Sequence, residues 1–303
     1  MQATPEFYLG VLSGVFGSAL YAISVVVYRG QRESIRPLDI SSVKMWTALP
    51  LMVLLVLAGV GQSPELFPVE TVLLLSLSIL LGAVIGDTLY LVSQERIGVS
   101  YAFPVAMSFP ILTYFLTVAF LGEPLIVLRL VGACVAVLWV IILSREQNSH
   151  PADPSPASKR RLDVLGLSLA ILTAVLYAVG TTILQVGVKD VDPIGANLVR
   201  VGVGSAAFVP LSFAAHWRGM MSPSKHAVLI VAISGFFGMG IGSILYVYAV
   251  KFAGAAVSSV IASSAPLFAL PVSVLALKEQ VSRIAALGVV ATVAGVLMVV
   301  LGG

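Results

Sequence analysis

The chain has 303 residues, 59% of them hydrophobic and only 10% charged, with a mean hydropathy of +1.05. Soluble domains carry about 25% charged and 45–50% apolar residues, so these charges are too few to clothe a soluble surface, and the hydrophobicity is too high for a disordered chain. A net charge of +3 and a pI near 9.0 do not point to nucleic acid, because membrane proteins gather basic residues in the loops of one side. The single cysteine, Cys134, excludes a disulfide framework and a thiolate metal site. The composition is that of an integral membrane protein.

A spanning helix needs about 20 mostly apolar residues. Ten segments meet this in chain order: Phe7–Tyr28, Leu38–Val60, Thr71–Val92, Tyr101–Leu121, Ile126–Ser144, Val164–Gly187, Pro193–Ala215, Ala227–Ala249, Ala255–Leu277 and Ile284–Leu301. The first is too long for a signal peptide and lacks a basic start and a cleavage site. Connections are short except Arg145–Asp163, rich in Pro, Ser and charge, which reads as a linker. The expected fold is all-α and membrane-embedded, with five helices in residues 7–144, a linker over 145–163, and five helices in 164–301.

The two halves repeat. A shift of 156 positions aligns Gly10 with Gly166, Leu20-Tyr21-Ala22 with Leu176-Tyr177-Ala178, Pro37 with Pro193 and Lys44 with Arg200. It also aligns Ile85-Gly86 with Ile241-Gly242, Tyr90 with Tyr246, Gly98 with Gly254, Ser108 with Ser264, Pro110 with Pro266 and Glu123 with Glu279. No gap is needed. An odd number of helices per repeat turns the second half upside down, and charge agrees. The loop after the first helix carries Arg29, Arg32 and Arg36, whereas its counterpart carries Lys189 between Asp190 and Asp192. Of the 17 Lys and Arg, 13 fall on one side and four on the other (Arg129, Lys189, Arg200 and Lys251). The positive-inside rule then puts both termini outside a cell membrane.

The stretch Tyr246–Leu301 contains Tyr248-Ala249-Val250-Lys251, Ser264-Ala265-Pro266, Leu277-Lys278-Glu279 and Gly288. Gly86–Leu143 contains Ser108-Phe109-Pro110 and Leu121-Gly122-Glu123. Each resembles the EamA repeat of the drug/metabolite transporter superfamily, and the resemblance covers nearly the whole chain as two tandem copies. It implies ten helices in two inverted repeats around a cavity that opens alternately to each side, and cargo such as amino acids, often moved outward. It also implies cytoplasmic termini, against the charge count. Lys278 stands where the family usually has glycine before the glutamate.

Ionisable residues inside spans cost about 2.5–3.5 kcal/mol each on insertion scales, so each is a functional candidate. Asp87 lies about five residues past the centre of the third span, roughly 7.5 Å at 1.5 Å per residue. Lys44 lies at similar depth toward the same side, so an Asp87–Lys44 ion pair would offset the burial, with Asp87 a candidate for proton coupling. The plainer alternative is a snorkelling Lys44. Arg200 is the counterpart of Lys44, but the counterpart of Asp87 is Ser243. Repeat two keeps the cation and lacks the acid. Arg200, with Asn197, is therefore a candidate for a substrate carboxylate or phosphate, which a planar guanidinium meets bidentately; a headgroup arginine is the alternative.

Tyr21 and Tyr177, and Tyr90 and Tyr246, are repeat-equivalent and lie on stripes of small or polar residues, suited to a wet cavity or to an interfacial aromatic belt. The Gly82-xxx-Gly86 and Gly238-xxx-Gly242 spacings suggest close helix packing. Pro110 and Pro266 interrupt equivalent helices, as at transporter sites, with Ser108 and Ser264 placed to bond freed carbonyls or substrate. Glu123 and Glu279 read as solvated turn or helix-start residues. No histidine lies in a span, and no P-loop, H-E-x-x-H or G-x-S-x-G motif occurs. The reading is a secondary transporter of small metabolites in the lipid bilayer, not an enzyme, with no cofactor, no metal and no nucleic-acid partner. A lipid flippase or scramblase, or a structural membrane protein, are the rivals.

Overall fold

The computed structural model describes residues 4–31, 34–147, 163–217, 223–265, 267–268 and 283–302, and every regular element among them is helical. The first half holds α1 (Pro5–Gly30), α2 (Pro37–Leu57), α3 (Val69–Ile79), a π-helical segment (Leu80–Gly86), α4 (Asp87–Ile97), α5 (Val99–Ala106), α6 (Phe109–Leu121) and α7 (Val127–Gln147). The second holds α8 (Val164–Gly187), α9 (Pro193–Trp217), α10 (Lys225–Gly235), a second π-helical segment (Phe236–Ile241), α11 (Gly242–Ser263) and α12 (Arg283–Leu301).

Seven helical stretches among the described residues are long and apolar enough to cross a membrane. The longest, Lys225–Ser263, runs through the eighth expected span into the ninth. The fifth and tenth expected spans show shorter apolar stretches, Val127–Trp139 and Val290–Leu301. Pro266, Glu279, the last nine residues of the ninth expected span (269–277) and most of the linker lie outside the described residues.

Local chemistry sets the helix boundaries. Pro37 starts α2 after an extended Arg36, its missing N–H being no loss in the first turn. Asp163 caps α8: it accepts from Leu165 N (3.1 Å) and from the Arg96 guanidinium (2.7 Å). The bond from Arg96, more than the cap itself, holds the Asp163 carboxyl below its usual range. Ser224 caps α10 by accepting from Ala227 N.

A single residue, Gly98, separates α4 from α5 at φ 79, ψ 158, and its repeat counterpart Gly254 bends α11 at φ 83, ψ 161. Only glycine enters this region freely. A Cβ at Gly98 would meet nothing within 4 Å, so Gly98→Ala isolates backbone strain. It should destabilise by about 1–3 kcal/mol, read as a lower melting temperature in detergent.

Packing brings the halves together. α1 lies on α11 along Gly10, Gly14 and Gly17, close enough that a Cβ on Gly10 would sit 2.7 Å from Ala253 N. Close approach of backbones through small residues is how helices associate where lipid supplies no hydrophobic drive. At one end of α2, Ser224 N donates to the Ser34 carbonyl (3.2 Å). At its other end, Gln62 N donates to Asp192 (3.2 Å). Ser34 of the first loop and Asp192 of its counterpart thus sit at opposite ends of α2.

Candidate functional site

The two π-helical segments fall at the same place in both halves. Each closes wider, i→i+5 turns, a feature concentrated at functional sites. The glycine-rich stretches pack closely, as their spacing suggests, a Cβ on Gly86 falling 2.9 Å from the Tyr177 ring and one on Gly238 overlapping Ser24, and they also form two walls of a cavity of about 170 Å³. Both halves line it. Gly17, Ser18 and Tyr21 come from α1; Ser78, Gly82, Ala83 and Asp87 from the α3–α4 run; Met107 and Phe109 from the α5–α6 junction. The second half supplies Tyr177, Gly180, Thr181 and Leu184 from α8, Arg200 from α9, and Gly238, Met239, Gly242, Ser243, Tyr246 and Ala262 from the α10–α11 run.

Lys44 and Asp87 form a direct ion pair with side chains 7% and 13% exposed. The other Asp87 oxygen accepts from the Tyr177 hydroxyl at 2.7 Å. Both carboxylate oxygens are therefore engaged, and a charge that would be costly in hydrocarbon is matched where it stands.

Arg200 also faces the cavity but bonds neutral groups. Its Nε donates to Ser78 Oγ (3.2 Å) and an NH1 hydrogen to Asn197 Oδ1 (3.2 Å), and the residue is 7% exposed. Asn197, fully buried, donates in turn to Ser243 Oγ (2.7 Å). The chain Arg200–Asn197–Ser243, a cation followed by two neutral groups, thus occupies the position that Lys44–Asp87 holds in the first half. Tyr246 shares a hydrogen bond with Thr181 (2.8 Å) beside it.

Several expected site residues lie elsewhere. Tyr90 does not line the cavity: it is 5% exposed and packs in an apolar cluster with Ile97 and Phe103, ring centroids 6.3 Å apart. Ser108 and Ser264 do not line it either; they donate back to the Val105 and Ile261 carbonyls (2.7 and 2.6 Å). Pro110 sits in the first turn of α6, immediately after the break at Met107–Ser108. Glu123 is not simply solvated: it accepts from Gln185 Nε2 (2.9 Å), and Gln185 Oε1 accepts from Ala255 N (2.6 Å). That bridge ties the turn after α6 to the end of α8 and to the Gly254 bend.

The two ends of the molecule are packed differently. Leu75, Leu184, Val191, Ala196 and Val199 form one buried cluster that also takes in Val247, Val250 and Ala255 of α11, with Tyr246 against it. Their counterparts 156 positions away behave otherwise. Ile35, Ile40 and Val231 cluster with Tyr28 and Val43, yet Tyr90 and Leu91, the counterparts of Tyr246 and Val247, belong to a different cluster with Ile97, Phe103 and Ala174. In one cluster α11 packs with residues of both halves; in the equivalent one, α4 takes no part.

These features define a class: a multi-pass helical membrane protein of two like halves around a shared cavity with charge on its walls. The chain belongs to the EamA-like transporter family, whose model matches residues 8–145 and again residues 164–301. It is thus a membrane-embedded member of a transporter family, within the drug/metabolite transporter superfamily. A crystal structure of another protein superposes with a TM-score of 0.79 at 18% identity, covering 97% of this chain and 98% of the other. That likeness concerns the fold. Among curated proteins, none matches.

Proposed function

We propose that this protein is a secondary active transporter, working as an exporter, that carries small carboxylate-bearing metabolites through the central cavity by alternating access. The observation that carries the reading is Arg200, a buried guanidinium on the cavity wall whose bonds among the described residues go to neutral Ser78 and Asn197. A cation left without a counter-charge inside a membrane protein is costly unless an anion arrives to meet it. Tyr21, Tyr177 and Tyr246 add aromatic faces and hydroxyls for orientation, and Asp87 with Lys44 is the pair through which protons would couple.

The architecture that goes with this reading is ten helices in two inverted five-helix repeats in the cell membrane. The basic loops face the cytoplasm and both termini face outward. The opposite placement of the equivalent loops along α2 supports the inversion. The unequal packing of the two ends supports alternation, since exchanging the roles of Tyr90-Leu91 and Tyr246-Val247 would produce the other state.

The test is efflux from proteoliposomes preloaded with a mixed metabolite pool, read by mass spectrometry. Wild-type vesicles should lose one carboxylate-bearing class selectively, and Arg200→Ala should slow that loss at least about tenfold, the worth of one charge-assisted hydrogen bond. Arg200→Lys keeps the charge without the fork and should fall between. Retention of every solute near pH 6 and near pH 8 would sink the reading and turn attention to lipid movement in the same vesicles.

A further inference from the structure

We propose that the cargo is a net monovalent organic anion, such as a hydroxy acid, and not a zwitterion. This rests on the transport reading above and names its substrate class. Lys44 and Asp87 cancel, and Arg200 leaves the cavity at +1. Among the described residues lining it, Asp87 is the one acid and Arg200 the one cation. Nor does the sequence hold another acid in reserve. Between Asp192 and Glu279 there is no Asp or Glu, and within the spans read from the sequence only Asp39 joins Asp87. Asp39 lies in the first turn of α2, paired with Arg36 at 3.0 Å.

A bound monoanion brings the cavity to zero before water is excluded, which is when an unmatched charge costs most. A zwitterion does not. Its carboxylate meets Arg200, but its ammonium carries the +1 onward to a wall with no free acid. The single carboxylate, Asp87, already holds Lys44 on one oxygen and the Tyr177 hydroxyl on the other. A second cation there would put two positive charges against one negative. A hydroxyl in the ammonium's place meets no such difficulty, because Ser18, Thr181, Ser243 and Tyr246 offer hydroxyls that donate or accept.

Isosteric pairs test this: L-lactate with L-alanine, 2-hydroxyisovalerate with L-valine, and 3-phenyllactate with L-phenylalanine, which differ only in –OH against –NH₃⁺. All six are loaded together into proteoliposomes at about pH 8, and leakage from protein-free vesicles is subtracted. The expected result is that the hydroxy acid of at least one pair leaves ten times faster than its partner or more, and that Arg200→Met abolishes the difference. Ser243→Asp, which gives the second half the acid it lacks, should bring the cavity to zero and shift the preference toward the amino acid. Amino acids leaving as fast as or faster than their hydroxy partners in wild type overturn the monoanion assignment and leave the transport reading standing. If none of the six leaves while other carboxylates of the mixed pool do, the assignment to this class falls. If nothing in either assay leaves, the transport reading falls with it. A melting curve for each variant separates lost binding from lost fold.

Discussion

Replacing Asp87 with Asn should lower the stability of the folded protein by about 3–5 kcal/mol, the cost of leaving the other half of a buried ion pair uncompensated. The side chain of Lys44 is 7% exposed and that of Asp87 13%, so little water reaches either. Asn keeps the size and a hydrogen bond with Tyr177 but supplies no charge. The double variant Lys44→Met/Asp87→Asn removes both charges and should regain most of the loss, since an apolar replacement of a whole buried pair is often neutral. Thermal unfolding in detergent reads both. Equal melting temperatures for wild type and Asp87→Asn would show that the pair contributes nothing. In vesicles, the single variant should lose uphill transport and retain exchange, because an amide takes up no proton to couple.

Arg200 predicts the contrary sign. Arg200→Met removes a buried cation that has no acid partner among the described residues, so stability should hold or rise while carboxylate efflux is lost. The contrast between Asp87 and Arg200, two charges on one cavity, separates a pairing role from a ligand role by direction rather than by size.

The second large effect lies far from the cavity, where α7 and α12 meet. A Cβ on Gly295 would sit 2.7 Å from both Ala136 N and Gly132 O, and one on Gly132 would sit 2.7 Å from Gly295 O. These are backbone atoms, which no rotamer change moves aside. Gly295→Val must therefore push the helices apart and loosen Ala133, Ala136 and Val299, which are at most 4% exposed, at a cost of roughly 3 kcal/mol. Gly202→Ala in α9 is the matched control. Its nearest neighbour would be Leu49 Cδ1 at 4.0 Å, and it should gain about 0.4–1 kcal/mol by restricting the unfolded chain. If both variants melt alike, the close approach of α7 and α12 is not what holds them.

The charged half of the site was legible because charge inside a span is rare enough to stand out. Asp87 and Lys44 sat at equal depth, and the chemistry left them few other partners. Arg200 stood out for the opposite reason, as a repeated cation whose acid had become Ser243. The π-helical segments were not legible. Their glycine spacing is also the signature of close packing, and both outcomes ask for the same small residues. The partner of Glu123 was not legible because Gln185 is remote in sequence, in the last turn of α8, where it also accepts from Ala255 N beside the Gly254 bend. That bend had a signal, since Gly98 and Gly254 match across the repeat, but only the backbone angles reveal one-residue turns rather than packing positions.

What the sequence by itself determined is whatever depends on composition and period: a membrane protein, two like halves 156 residues apart, the EamA resemblance, and the depth of each buried charge. Tertiary structure alone decided which copy of each repeated residue reaches the cavity. Tyr90 and Tyr246 hold equivalent places in nearly equivalent sequence, yet one is packed against Phe103 and the other lines the cavity beside Thr181. The reason is that the two halves carry the same local apolar pattern, which suits each tyrosine both to a packed cluster and to the cavity wall. The local pattern is satisfied either way, so only the packing across the halves breaks the tie.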